Sequence, residues 1–447
     1  MPPSSLQSAR GVRDVLPAER ATWELVEGAA RRVARAFGYQ EIETPIIEPL
    51  ELVERGVGGD TDVVRKEIYL VHSRAEPDSR LVLRPEATAG VVRAYFQNRL
   101  DAGPQPQRLY TLGPMFRHDR PQAGRYRQFH QFDVEAFGSG AAALDAEVIE
   151  MAVGWLAELG LTGFVLELNS IGDDACRPAY LELLKAYYRP RKEQLDAECQ
   201  RRLEVNPLRL LDCKAPRCQP FKAGAPRITD HLCPACGEAF AEVRRLLDAA
   251  GVEYRLNPYL VRGLDYYSRT VFEVSHEAVG GAQNSLGGGG RYDGLATALG
   301  YPNTPATGFA AGLERVVLAL ERQRLAPPAP SPAELAVLPD GEGLAVAAAR
   351  VARIARGSVR VAVDYSGRSL RAKMRAAHRA GYPWVAIMDP AEASREVVQL
   401  RHMASGEQRE VAWRDLPLAL RTPGGPTPSG DASGGVRPAM PTGEARA

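Results

Sequence analysis

The sequence predicts an α+β chain in two parts: a long N-terminal part that mixes strands with helices and carries a helical insertion, and a small C-terminal α/β unit. Three observations predict it. Strand-like runs rich in β-branched residues alternate with helical periods as far as about residue 323. The stretch 173–250 breaks that mixture, being mostly helical and charged. The segment APPAPSP (326–332) reads as a Pro-rich linker, and beyond it strand and helix patterns alternate.

The elements follow in order. Residues 18–37 form a helix, because Trp23, Val26, Ala30 and Val33 recur at three- to four-residue steps with charges between them. Ile42, Ile46 and Ile47, broken by Pro45, predict a strand that ends in a turn or at a sheet edge. LVLRPEATAGVVRAYFQNRL (81–100) starts as a strand and becomes a helix, and residues 108–138 read as strand, charged loop, strand. Val165-Leu166-Glu167-Leu168-Asn169 is a strand. After the insertion, strand and Gly-rich patterns return at 254–295, and a helix follows at 310–323. In the final unit LAVLP, VRVAVDY and WVAIM are strands separated by helices at Ala345–Ala355 and Leu370–Ala380, a pattern that predicts a parallel sheet. Residues 422–447 lack apolar periodicity and predict a disordered tail.

Composition narrows the class. A hydrophobic fraction of 45% and a charged fraction of 25% exclude a mostly disordered, collagen-like or membrane-spanning chain. The N-terminus has no apolar core of a secretory signal, and six cysteines in 447 residues are no disulfide scaffold, so a reduced, cytoplasmic protein is expected. Net charge is +1, which leaves any basic surface local. All but six of the 56 cations are Arg, the better bidentate phosphate ligand, though Ala, Gly and Pro are abundant too.

Chemistry concentrates in a few places. Arg117, His118, Arg120, Arg125 and Arg127 sit between two strand-like runs, where a hairpin could aim several guanidiniums at one polyanion. A solvated hairpin would carry the same charges. Gln131, Asp133 and Glu135 then alternate, so they project from one strand face that is polar where a core strand should be apolar. Buried carboxylates need partners, and a cationic ligand is a natural one. RGLDYYSRTVFE (262–273) interleaves Tyr266, Tyr267, Arg262 and Arg269 with apolar residues; as a strand it would put Arg262, Leu264 and Tyr266 on one face and Tyr267 and Arg269 on the other. The four glycines 287–290 allow close backbone approach to a ligand, or simply a flexible loop. Arg315 lies in the first turns of a helix that follows a small-residue strand, and Glu86 opens another helix, where it either favours the helix dipole or meets a substrate.

Together these segments resemble the histidyl-tRNA synthetase family, a class II aminoacyl-tRNA synthetase family, over about residues 9–420. The resemblance rests on GVRDVLP (11–17), the first class motif around Thr44-Pro45, the second, FRHDRPQAGRYRQFHQFDVE, the third, GFAAGLERV, and two histidine-specific segments, RGLDYYSRTVFE and GGGGRYDGL. It implies an antiparallel sheet flanked by helices in a catalytic domain over 1–325, with the insertion at 173–250, and an anticodon-binding domain over 333–421. It also implies ATP with Mg²⁺, L-histidine and tRNA(His) as partners, a homodimer, and no membrane. By motif, Arg117 and Arg262 match the catalytic arginines, and Arg117, Arg125 and Arg315 match ATP-binding positions. Glu86, Thr88, Gln131, Glu135, Arg262, Tyr266 and Tyr267 match the histidine pocket. Ala87 and Phe132-Asp133 depart from the family pattern at positions that tolerate change. Arg368, Arg371 and Lys373 are candidates for phosphate contacts with the tRNA. The alternatives are the non-catalytic regulatory subunit of ATP phosphoribosyltransferase, which shares the catalytic fold, and a histidine-sensing module without catalysis.

Four cysteines of the insertion, Cys213-x4-Cys218-x14-Cys233-x2-Cys236, have the number and spacing of one tetrahedral zinc site, or of chance and helix packing. Cys176 and Cys199 read as ordinary thiols.

Overall fold

The computed structural model describes residues 6–421 except 60, 62, 281–283 and 330; the tail at 422–447 lies outside the described residues. Two compact units divide between Pro328 and Ala329.

The first unit is built on an eight-stranded sheet. Its order is Gln40–Glu41, Gln107–Phe116, Gln128–Phe137, Ala306–Gly312, Ser285–Arg291, Ser268–Ser275, Val165–Ser170 and Arg255–Leu256. The six central strands are antiparallel, and each edge adds one short parallel strand. Side-chain alternation divides the sheet into two unlike faces. On one, Phe132, Val134, Phe272, Val274, Phe309 and Ala311 join the core made with helices Pro17–Ala36, Ala142–Glu158, Pro234–Ala249 and Leu313–Arg322. Phe132 anchors it, edge-on to Trp155 and Phe309 with ring centroids 5.2 and 5.3 Å away. The opposite face carries Gln131, Asp133 and Glu135, all buried.

The four glycines form the middle of the Ser285–Arg291 strand rather than a flexible loop. Neighbouring backbone approaches so closely that a Cβ on Gly289 would lie 2.0 Å from the Gly308 carbonyl oxygen, and one on Gly288 would lie 2.9 Å from the Arg262 guanidinium carbon. At the end of this strand Arg291 is 1% exposed and bonds the Asp145 carboxylate at 2.7 and 3.1 Å, with further bonds to Asp293 and to the Ser139 and Ala141 carbonyls. Truncating one partner of a buried ion pair leaves the other charge unpaired, at a cost of about 3–5 kcal/mol. Arg291→Ala is expected to lower the thermal unfolding transition of this unit by many degrees, which calorimetry measures.

Within the insertion, helices Arg177–Tyr188 and Ala197–Val205 are joined by short 3₁₀ turns. The helix Pro234–Ala249 instead sends Phe240, Val243 and Leu247 into the main core, so it belongs to the layer covering the sheet. The single cysteine site expected from spacing does not form. Cys213 and Cys218 gather with Cys199 and Asp196, while Cys233 and Cys236 gather with Cys176 and Asp173. Local spacing joins cysteines that the fold separates, and Cys176 and Cys199, expected as ordinary thiols, belong to the groups.

In the second unit the strands run Val361–Val363, Leu335–Pro339, Trp384–Met388, Val397–His402 and Gln408–Ala412. The first three are parallel, as expected, with helices Ala345–Ala355 and Leu370–Arg379 packing on opposite faces. The last two add an antiparallel hairpin that the sequence reading passed over; its strands need only a short turn. Lys373 is not an exposed phosphate ligand: it is buried, and its ammonium donates to the Pro339 carbonyl at 2.6 Å. Arg368 and Arg371 are exposed, as is Arg375 one turn on.

Candidate active site

A cavity of about 560 Å³ opens over the polar face of the large sheet. Its first wall comes from the hairpin between Gln107–Phe116 and Gln128–Phe137. At the base of that hairpin the Arg117 N–H donates to the Arg127 carbonyl at 2.9 Å, and the tip turns at Gln122–Arg125. Arg117 donates from Nε to the Pro85 carbonyl at 2.8 Å, and its guanidinium carbon lies 5.4 Å from the centre of the Phe129 ring. Arg125 pairs with Asp119. Against the tip of that hairpin, the helix Leu313–Arg322 begins where the Ala306–Gly312 strand ends, which brings Arg315, donating to the Gly124 carbonyl at 3.4 Å, into the cavity in the first turn. Arg315 donates to the Ser285 carbonyl.

Arg262 completes the cationic lining. It stands in an irregular segment before the Ser268–Ser275 strand, not within a strand. The expected separation of Tyr266 from Tyr267 onto two faces therefore does not occur: both line the cavity with Arg262, their ring centroids 4.6 Å apart. The bend at Gly263-Leu264 and the turn at Asp265-Tyr266 break the strand period there. Gly288 leaves room for the Arg262 guanidinium, which pairs with Glu273, while the insertion grips the segment from behind. Arg209 donates to the Arg262 carbonyl at 3.0 Å, and Asn206 donates to Asp265 at 2.7 Å.

The electrostatics register the convergence. Burial, then Arg125, with Arg117 and Arg262 adding, hold the Arg315 guanidinium below the ordinary arginine range. Burial does the same to Arg125, with Arg117 adding. Burial works against Arg262 too, but Glu273 and then Tyr267 outweigh it and hold that guanidinium above its usual range. Four like charges around one cavity make a site for a polyanion.

The other wall is acidic and phenolic. Glu86 caps the helix Thr88–Gln97, accepting from the Thr88 and Ala89 N–H groups at 2.8 and 3.0 Å, and also lines the cavity. Burial raises its pKa. Asp133 is fully buried, and neither carboxylate oxygen has a hydrogen-bond partner; the Gln131 Oε1 atom is likewise alone. Burial, reinforced by Glu86, pushes the Asp133 carboxyl well up. Such acceptors await a donor.

Not every expected residue reaches the cavity. Arg117, Arg125, Arg262, Arg315, Glu86, Gln131, Tyr266 and Tyr267 line it, whereas Thr88 and Glu135 do not. Thr88 Oγ1 donates to Glu135 at 2.6 Å, and Tyr292 donates to the second carboxylate oxygen. Burial raises Glu135 strongly. Asp133, Glu273 and Arg209 also line the cavity, and Tyr292 stands behind it, bonded to Glu135. The alternation with Gln131 and Glu135 signalled Asp133, and the GGGGRYDGL motif contained Tyr292. Nothing local marked Arg209.

Folding favours the protonated form of Asp133. Its contribution to stability is complete at acid pH, below the pKa of the unfolded carboxyl, and is lost as pH rises through the higher folded value. Asp133→Asn is therefore expected to raise the unfolding temperature of the ligand-free protein, with a gain that grows as pH rises from the ordinary carboxylate pKa, about 3.9, toward the higher folded value. Calorimetry of both proteins across that range checks it; a gain independent of pH would contradict the assignment.

A family model described as histidyl-tRNA synthetase matches residues 11–173 and 224–316, and one described as an anticodon-binding domain matches residues 334–422. A histidine–tRNA ligase of Moorella thermoacetica is 49% identical over 403 residues, covering 90% of this chain and 95% of that one. One from Desulforamulus reducens is 47% identical over 413 residues, with 92% and 98% covered. The crystal structure of apo S. aureus histidyl-tRNA synthetase superposes with a TM-score of 0.77 at 31% identity, covering 93% of this chain and 99% of that chain. A Bacillus halodurans structure titled ATP phosphoribosyltransferase regulatory subunit/histidyl-tRNA synthetase shares the fold, with a TM-score of 0.62 at 21% identity.

Proposed function

The chain belongs to the histidyl-tRNA synthetase family, and on that premise we infer that it ligates histidine to tRNA: it activates L-histidine with ATP to histidyl-adenylate plus pyrophosphate, then transfers the histidyl group to the 3′ end of tRNA(His). The observation that carries the reading is one cavity with arginines on one wall and unpartnered acid and amide oxygens on the other. ATP and histidine need those two kinds of wall side by side.

The histidine carboxylate attacks the α-phosphorus in line and pyrophosphate departs. The nucleophile is already an anion, so the work lies in positioning and in neutralising the phosphorus oxygens. Arg117 and Arg262 take the α-phosphate and the substrate carboxylate. Arg315, at the far side with Arg125, takes the terminal phosphates. Glu273, a half-shielded carboxylate on the cavity wall, would offer an oxygen to a magnesium ion carried by the nucleotide, which would supply neutralisation of phosphate charge.

On the other wall Asp133, Gln131 and Glu86 accept from the cationic groups of histidine, and Tyr266 and Tyr267 close over the imidazole. Glu135 acts from behind through Thr88 and Tyr292. A wrong amino acid would leave these groups unpaired, a discrimination worth roughly 10⁴–10⁵ in favourable cases. The ribose hydroxyl of the tRNA end then attacks the adenylate carbonyl, with Arg125 and Gln131 near the incoming strand. Arg368, Arg371 and Arg375 supply the tRNA phosphate contacts of the second unit.

The same premise brings a homodimer, with the exposed Ile46 and Ile47 beside Pro45 at its contact, and a cytoplasmic location, to which six free thiols are suited. No helix among the described residues is long and apolar enough to cross a membrane. The regulatory-subunit reading is not favoured, since the anticodon-binding model matches and Arg117, Arg262 and Arg315 share one cavity. Histidine-dependent exchange of labelled pyrophosphate into ATP, run against the other amino acids, tests the reading. A protein that only senses histidine or regulates a partner gives no exchange.

A further inference from the structure

We infer that two separate zinc ions hold the insertion, one in the group Asp173, Cys176, Cys233 and Cys236, the other in the group Asp196, Cys199, Cys213 and Cys218. Within each group one oxygen and three sulfurs lie within 4.8 Å of one another. A tetrahedral zinc with ordinary Zn–S and Zn–O bonds separates its ligands by about 3.5 Å (S to O) and about 3.8 Å (S to S). In the second group the Asp196 Oδ2 atom is 3.0 Å from Cys218 Sγ and 3.5 Å from Cys213 Sγ. In the first the Asp173 Oδ1 atom is 3.7 Å from Cys176 Sγ and 4.0 Å from Cys233 Sγ. All six thiols are unpaired, and all but the half-buried Cys233 are buried.

The two groups are built alike. Each joins an Asp-x2-Cys turn, at 173–176 and 196–199, to a closely spaced pair of cysteines. Each aspartate is already held by backbone: Asp173 accepts from the Ala175 N–H at 3.1 Å and Asp196 from the Cys199 N–H at 2.8 Å. Arg269 adds a bond to the Asp173 Oδ2 atom at 3.1 Å, leaving Oδ1 toward the thiols. Outer bonds of this sort orient metal ligands. Three soft sulfurs with one oxygen suit zinc, and a closed four-ligand set is structural rather than catalytic.

Position explains the need. The first group sits where the chain leaves the sheet after Val165–Ser170 and where it returns at Pro234–Ala249, so it clips both roots of the insertion. The second lies wholly within 174–223, the stretch between the two matched segments of the family model. That stretch has two helices of eight residues or more and otherwise short turns, too little regular structure to hold itself firmly. Cys213 also lines the active-site cavity, so this staple steadies the wall that grips the Arg262 segment.

The test is zinc content by mass spectrometry on the full chain purified without chelators. The expected value is two zinc ions per chain. Cys176→Ser/Cys233→Ser and Cys199→Ser/Cys213→Ser should each retain one. As a check independent of how either variant folds, the unmodified protein is also titrated with a mercurial while released zinc is followed by a colorimetric chelator; two ions should leave as six thiols react. Cobalt(II) exchanged into the protein should give the intense visible bands of tetrahedral thiolate coordination. Zero or one zinc per chain with six reactive thiols overturns the assignment, as does a disulfide within either group.

Discussion

Replacing Arg262 with Ala lowers histidine-dependent pyrophosphate exchange by about 10²–10³ in kcat, the usual cost of removing one preorganised group from the charge that develops in a transition state. The expected loss is large for three reasons. Arg262 is largely shielded, its side chain only 18% exposed, so little water can take its place. Its guanidinium lies over Gly288, where no side chain can take its place. The variant also leaves Glu273 without its cation, facing the incoming phosphates. Arg262→Lys recovers only part of the rate, because a single ammonium cannot meet Glu273 and an α-phosphate oxygen with the fixed fork of a guanidinium. A kcat split separates this role from a structural one: if Arg262 only supported the loop, Lys and Ala would both act through stability and leave kcat of the folded fraction unchanged.

The second large effect concerns the C-terminal unit. A chain ending at Pro328 is expected to keep pyrophosphate exchange within about threefold while its kcat/KM for tRNA charging falls by about 10³. The estimate takes three phosphate contacts at the low end, about 1.5 kcal/mol each, with tenfold for every 1.4 kcal/mol. The first unit has its own cores and its own cavity, and so should survive the cut. Parallel loss of both activities would remove the tRNA role from this unit. Arg371→Ala/Arg375→Ala in the full chain should reproduce part of the charging defect and reduce its dependence on salt.

Much of the site was legible because its signals were local. A period of two announced that Gln131, Asp133 and Glu135 share a face, and they do. The arginines of the hairpin and the third motif stood out as charges among small or apolar residues. The fold class was legible for a similar reason, since alternation and helical period survive in any context. What escaped reading depended on contacts distant in the chain. The segment carrying Tyr266 and Tyr267 has a strand's composition, yet the bend at Gly263-Leu264 and the turn at Asp265-Tyr266 put both rings on one cavity. The cysteines were grouped by nearness in sequence, whereas the fold sorts them through Asp173 and Asp196. Lys373 looks like any helix cation until the strand carbonyl of Pro339 is found beneath it. The bonds that Thr88 and Tyr292 donate to Glu135 join residues far apart in the chain.

The glycine strand has a consequence for how the molecule can change. Beside Arg262, at Gly287 and Gly288, part of the cavity floor is main chain, and main chain is common to every codon. An inhibitor that rests on that surface meets nothing a point mutation could reshape without forcing neighbouring strands apart. Resistance would have to arise at the rim, among the side chains of the hairpin and the insertion, and compounds anchored on the floor would leave few such routes open.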